Sequence, residues 1–169
     1  TEKGRAQALA MGDMLRSAGV TAASHLALSS PQGRAMATAR LALDQLGTDI
    51  QPEPLLREIS VGEWAGLTAD EIDVRWPGPE DEGFLDRYAR APGGEPFDAL
   101  WDRVGAVLER LTRPTVIVTH GITSRFLRTR AMGLTMADLD ELPGGQGIVF
   151  RLCQGRHEMI GTSGLQPGP

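Results

Sequence analysis

The 169-residue sequence predicts an α/β fold, a three-layer α/β/α sandwich around a mostly parallel sheet. Three observations predict it. Short β-rich runs alternate with longer amphipathic ones, the order in which parallel strands and crossover helices follow each other. Thr115-Val116-Ile117-Val118-Thr119 is continuous and largely β-branched, as a strand buried on both faces of a parallel sheet reads. Twice, a strand runs straight into a helix, at Ser29-Ser30-Pro31 and at Thr119-His120-Gly121.

Taken in order, Glu2 to Ala18 carries Ala8, Met11, Leu15 and Ala18 three and four apart, an amphipathic helix stopped by Gly19. His25-Leu26-Ala27-Leu28 is a short strand. A second helix starts at Ser29-Ser30-Pro31, with the proline in its first turn. Met36, Ala39, Leu43 and Leu46 form its buried stripe, and Gly47 ends it. Gln51 to Gly66 reads as loop. Thr68 and Glu71 make a capping box, each side chain serving the other's backbone N–H, and open a third helix that ends before Pro77. Pro77 to Gly83 is acidic and rich in Pro and Gly, an exposed loop, and Pro77 to Gly94 is placed to cap a pocket. Pro96 opens a long helix with Phe97, Leu100, Trp101, Val104, Leu108 and Leu111 on one side. After the Thr115–Thr119 strand comes a helix around Ser124 to Ala131. Ile148–Leu152 and His157–Ile160 flank Gln154-Gly155 and pair as a hairpin. Residues 161–169 are expected to be a flexible tail. Without an internal repeat or linker, residues 1–169 read as a single domain.

Composition narrows the function. A chain of this length buries roughly 70% of its unfolded surface and needs no disulfide or metal to hold a core. The single cysteine, Cys153, excludes an internal disulfide and any multi-cysteine metal site, and it suits a reducing, cytoplasmic setting. No apolar run reaches the length of a membrane span. The net charge of −5 argues against a nucleic-acid partner. It does not argue against an anionic substrate, because exposed charges are screened beyond about 10 Å and a few local arginines decide.

Three stretches could carry chemistry. His120 stands where a buried strand gives way to a helix, and in open α/β sheets ligands bind at the carboxyl ends of strands. The helix-start N–H groups from Gly121 favour an anion there, and a histidine beside them can donate to it. Arg34, in Ser29-Ser30-Pro31-Gln32-Gly33-Arg34-Ala35, lies in a first helical turn, where the dipole disfavours a cation. A nearby anion would reverse that preference, and the guanidinium fork suits phosphate. In Leu56-Arg57-Glu58-Ile59-Ser60-Val61-Gly62-Glu63-Trp64, both Glu58 and Glu63 qualify as general acids, although most loop glutamates are simply solvated.

Together these stretches resemble the histidine phosphatase superfamily, the phosphoglycerate-mutase-like fold. The motifs are Thr1-Glu2-Lys3-Gly4-Arg5-Ala6-Gln7-Ala8, Ser29-Ser30-Pro31-Gln32-Gly33-Arg34-Ala35-Met36-Ala37-Thr38-Ala39, Leu56-Arg57-Glu58 with Gly62-Glu63-Trp64-Ala65-Gly66, and Thr119-His120-Gly121. Their order matches the family from Thr1 to about Leu152. The resemblance implies a phosphomonoesterase with a phosphohistidine intermediate and no metal or other cofactor, acting on a small phosphorylated metabolite. It implies Arg34 and His120 as binders of the phosphoryl oxygens, with Gly121 beside them, and Glu58 as the proton donor. One branch of the family places the acid directly after the second histidine; Gly121 stands there, which favours Glu58. Pro96 replaces the serine often found after Gly-Glu, which removes one secondary phosphate contact.

The family's nucleophile stands in an Arg-His-Gly strand ahead of the Thr1–Ala8 pattern. None of His25, His120 and His157 lies in Arg-His-Gly. The nucleophile is therefore expected upstream of residue 1, and residues 1–169, lacking that first strand, are expected to be inactive. The alternatives are a cofactor-dependent phosphoglycerate mutase, against which the short Trp76–Ala91 stretch argues, and a non-catalytic module binding a phosphate ligand or a protein. A homodimer is compatible with either enzyme.

Overall fold

In a computed structural model of the chain, residues 1–160 are described. The tail expected at 161–169 lies outside them. Helix α1 (Glu2–Ser17) opens on Thr1, whose Oγ1 accepts from the Gly4 amide at 3.2 Å. Strand β1 (Leu26–Ser29), helix α2 (Gly33–Leu43) and strand β2 (Ile50–Pro52) follow. After two 3-10 turns come α3 (Ala69–Arg75), α4 (Phe84–Ala89), α5 (Phe97–Glu109), β3 (Thr115–Val118), α6 (Gly121–Ala131) and the strands β4 (Val149–Cys153) and β5 (Arg156–Ile160).

The first three strands form a parallel sheet in the order β2-β1-β3. Side chains alternate across a strand, and the register turns that alternation into two cores. Ala27, Ile50 and Val116 stand in line and join Leu15, Val20, Ala42 and Leu43 of the α1–α2 side. Leu28 and Ile117, the next pair, join Leu100, Val104 and Val107 of α5 and Ile122, Phe126 and Leu127 of α6. Helices thus cover both faces of the sheet, which makes the three layers. Each fully buried Leu or Phe contributes about 1.5–3 kcal/mol of transfer free energy. At Gly12 a Cβ would lie 2.4 Å from the Ala42 carbonyl oxygen, so the close approach of α1 to α2 depends on that glycine.

Several boundaries differ from the sequence prediction for physical reasons. Helix α2 starts at Gly33, so Pro31 precedes it; Ser30 is still bound to the sheet, its N–H donating to Val118 O at 2.9 Å. Strand β2 was hidden because three residues show no period. Helix α4 lies within the Pro77–Gly94 stretch, after the Pro77–Gly83 loop, and α6 begins three residues before Ser124. Strand β3 is only half buried along its length. Among the described residues it pairs on one edge alone, with β1, while β4 and β5 form a separate antiparallel pair as the hairpin signal predicts.

Candidate functional site

The carboxyl ends of β1 and β3 lie side by side, Ser29 in register with Val118. The two chain segments beyond them meet. Arg34 Nε donates to His120 Nδ1 at 3.0 Å. A guanidinium can only donate, so Nδ1 is the acceptor and the imidazole proton sits on Nε2. Nε2 then donates to Ser30 Oγ at 2.8 Å. His120 is buried and neutral, the N-cap of α6, while Arg34 is exposed on the first turn of α2. Burial is the main cause that holds the His120 pKa below its ordinary value; the Arg34 and Arg103 charges add to it and Glu58 opposes.

That shift has a stability consequence. The unfolded chain protonates His120 near pH 6.5, the folded chain only at lower pH. The neutral ring therefore contributes stability above the unfolded pKa, and this is lost as pH falls through the folded pKa. Thermal melting should show Tm falling from about pH 7 to about pH 5, and His120→Gln should flatten that fall. The flattening is partial, because burial and Arg128 lower His157 in the same direction. An unaltered slope in His120→Gln would remove His120 from the account of it.

Glu58 reaches the same place from the loop after β2. Its carboxylate accepts from Thr123 N at 3.0 Å, Ile122 N at 3.3 Å and Ile59 N at 3.1 Å. Thr123 Oγ1 lies 3.0 Å from Glu58 Oε1 and 2.8 Å from Arg57 O, so its one proton is shared between them. A carboxylate at a helix N-terminus is favoured by the dipole. The amides of Ile122 and Thr123 at this helix start are thus held by an anion that the chain itself supplies, Glu58. Of the first three α6 amides, that leaves Gly121 N outside the Glu58 bonds. Glu63 is exposed on a 3-10 turn, its backbone N–H donating to Pro92 O at 2.9 Å. That turn depends on Gly62, where φ is +50° and a Cβ would lie 2.1 Å from Pro92 O.

The structure thus brings Arg34, Glu58, His120 and Gly121 together and leaves the other two histidines apart. His25 bonds Ser24 Oγ at 2.7 Å at the opposite, amino end of β1. His157, on β5, accepts from Arg128 Nη1 at 2.9 Å and stacks on Phe150. Two partners were not singled out from sequence: Ser30, fully buried under His120, and Gln32, whose Oε1 accepts from Glu58 N at 3.0 Å. A buried serine pair at a strand end is the one signal that could have marked Ser30. Chemically, the cluster offers a guanidinium fork, an imidazole and a carboxylate at one sheet edge, the set needed to bind an oxyanion and move a proton.

Comparison with known proteins agrees with the fold. The profile described as histidine phosphatase superfamily (branch 1) matches residues 1–159. Probable phosphoglycerate mutase GpmB of Salmonella paratyphi B is 33% identical over 146 residues, 79% of this chain and 63% of that protein. The chain therefore spans less than two thirds of that relative's length. The mycobacterial glucosyl-3-phosphoglycerate phosphatase solved with inorganic phosphate superposes with a TM-score of 0.72 at 25% identity, covering 94% of this chain and 84% of that one. The alpha-ribazole phosphatase from Shigella flexneri has the same fold, with a TM-score of 0.72 at 23% identity over 93% and 80% of the two chains.

Proposed function

The chain belongs to the histidine phosphatase superfamily, branch 1, and on that footing we propose that it forms the oxyanion-binding and proton-donating part of a phosphomonoesterase. The substrate is a small phosphorylated metabolite, met in the cytoplasm, and the reaction uses no metal. Arg34 and His120 bind the non-bridging oxygens, His120 taking up a proton on Nδ1 as the anion displaces Arg34 from it, with Gly121 N beside them. A histidine in an Arg-His-Gly segment ahead of Thr1 attacks phosphorus, so that an N–P bond forms as the ester P–O bond breaks. Glu58, taking up a proton when the anionic ester binds beside it, gives that proton to the leaving oxygen. In the second step Glu58 takes a proton from water, whose oxygen displaces the histidine from phosphorus. The observation that carries this reading is the Arg34–His120 contact with Glu58 on the same helix start. The edge of β3 that has no partner among the described residues supports the upstream segment: a parallel strand there would end at the same sheet edge as His120.

Titration of residues 1–169 with inorganic phosphate tests it. Arg34→Ala should weaken binding roughly tenfold or more, the scale of lost hydrogen bonds to a charged group. Equal affinity in the two proteins would refute the site. The name of the 33%-identical relative favours one second reading, a phosphoglycerate mutase. The same phosphoenzyme would then pass its phosphoryl group to a phosphoglycerate in preference to water, which product analysis with that acceptor distinguishes.

A further inference from the structure

The carboxylate of Glu58 is only as well placed as the loop that carries it, and that loop is held from outside the cluster. Its carbonyls are taken in turn: Leu55 O by Arg103 Nη1, Leu56 O by Thr119 Oγ1 at 2.7 Å, and Arg57 O by Thr123 Oγ1 at 2.8 Å. Glu95, ahead of α5, receives the Arg103 fork on both oxygens, at 2.6 and 2.9 Å. The same carboxylate accepts from Arg57 Nη2 and from Ser60 N, each at 3.3 Å, so it reaches the chain on both sides of Glu58. The Glu95 N–H also donates to Ser60 O at 2.8 Å. Both ends of the Leu55–Ser60 segment are thus tied to one ion pair. That pair is nearly enclosed, the side chains of Arg103 and Glu95 being 7% and 8% exposed.

A buried ion pair is a poor device for stability as such, because desolvation offsets its attraction. A bidentate pair is a good device for geometry. Burial would raise the Glu95 carboxyl, but the hydrogen bond and charge of Arg103, the Ser60 amide and Arg57 outweigh it and hold it below the usual carboxylate range. The acceptor therefore stays ionised at neutral pH. We propose that Glu95 and Arg103 are positioning residues, fixing the loop so that the Glu58 carboxylate sits against the start of α6. The proposal rests on Glu58 being the proton donor. A displacement of about 1 Å at a reacting group can cost about a hundredfold in rate, so such a clamp has a kinetic purpose that packing alone lacks.

The test begins with residues 1–169, without any activity. In the charge-neutral pair variant Glu95→Gln/Arg103→Met, amide hydrogen exchange at Ile122 and Thr123 should quicken roughly tenfold relative to Phe126–Thr129 of the same helix. The Glu58→Gln variant sets the scale for those two amides. Unchanged protection at both would overturn the proposal, and so would a uniform loss along α6, which marks a merely structural pair. Removing both charges avoids leaving Arg103 buried without a counter-charge, which could unfold a Glu95→Gln protein. In the chain extended to include its nucleophile, the pair variant should slow hydrolysis of an alkyl phosphate about tenfold and spare dinitrophenyl phosphate, whose leaving group needs no proton. Added to Glu58→Gln it should do nothing further. Equal losses on both esters would contradict it. If Glu58→Gln itself shows no dependence on the leaving group, Glu58 is not the acid, and the exchange result still decides whether the pair seats it.

Discussion

Joined to an upstream segment whose strand ends in Arg-His-Gly, the chain should hydrolyse an aryl phosphate with a chelator present, at least about 10³ times faster than residues 1–169 alone. A phosphohistidine route divides hydrolysis into two displacements and needs a nucleophile for the first. The three histidines present are set otherwise. His120 is bound on both ring nitrogens by Arg34 and Ser30, His25 lies at the far end of β1, and His157 belongs to the hairpin. Residues that only bind and polarise a phosphoryl group supply part of the rate of such a reaction. Stability should change with activity, because a strand paired on the edge of β3 that has no partner among the described residues adds ladder hydrogen bonds and covers a half-buried strand. Urea unfolding of the two proteins measures that gain. Turnover by residues 1–169 that His120→Ala abolishes would make His120 the nucleophile. An extended chain inactive on every phosphate ester would leave a phosphate-binding module.

In the extended chain, Glu58→Gln should lower kcat for an alkyl phosphate by about 10²–10⁴, the usual contribution of a general acid. Dinitrophenyl phosphate, whose leaving oxygen is stable without a proton, should lose far less. Glutamine keeps the size and one acceptor of Glu58, but its amide N–H₂ cannot accept from Ile122 N or Thr123 N. A modest increase in KM common to both esters is therefore expected beside the selective loss in kcat. Equal kcat losses on the two esters would show that Glu58 positions the substrate and does not protonate it.

The layers and the sheet-edge residues were legible in the sequence because each has a local cause. The β-branched run before His120 and the Ser29-Ser30-Pro31 turn before Arg34 both announce a strand passing into a helix, and the parallel register then brings the two turns together. The residues taken alone left Glu58 and Glu63 equivalent, and it was the family resemblance that pointed to Glu58. The two lie five residues apart in one loop, and the amides that hold Glu58 belong to α6, more than sixty residues on. The same holds for Glu95 and Arg103, whose partners Ser60 and Leu55 are 35 and 48 residues away. Strand β2 was hidden by its length, and the pairing of β3 on one edge alone among the described residues by a composition that fits either one neighbour or two. The helix-start amides were assigned to a ligand because a helix N-terminus attracts any anion; that the chain's own Glu58 takes two of them depends on a loop no local pattern describes.

Crystals of residues 1–169 soaked in vanadate or phosphate test the central claim, that this sheet edge binds a phosphoryl group. The oxyanion should lie beyond the carboxyl end of β3, within hydrogen-bond distance of the Arg34 guanidinium, the His120 imidazole and Gly121 N, and it should replace the direct Arg34 Nε–His120 Nδ1 bond. An oxyanion bound elsewhere, or a site that keeps that bond and stays free of oxyanion at saturating concentration, would contradict the claim.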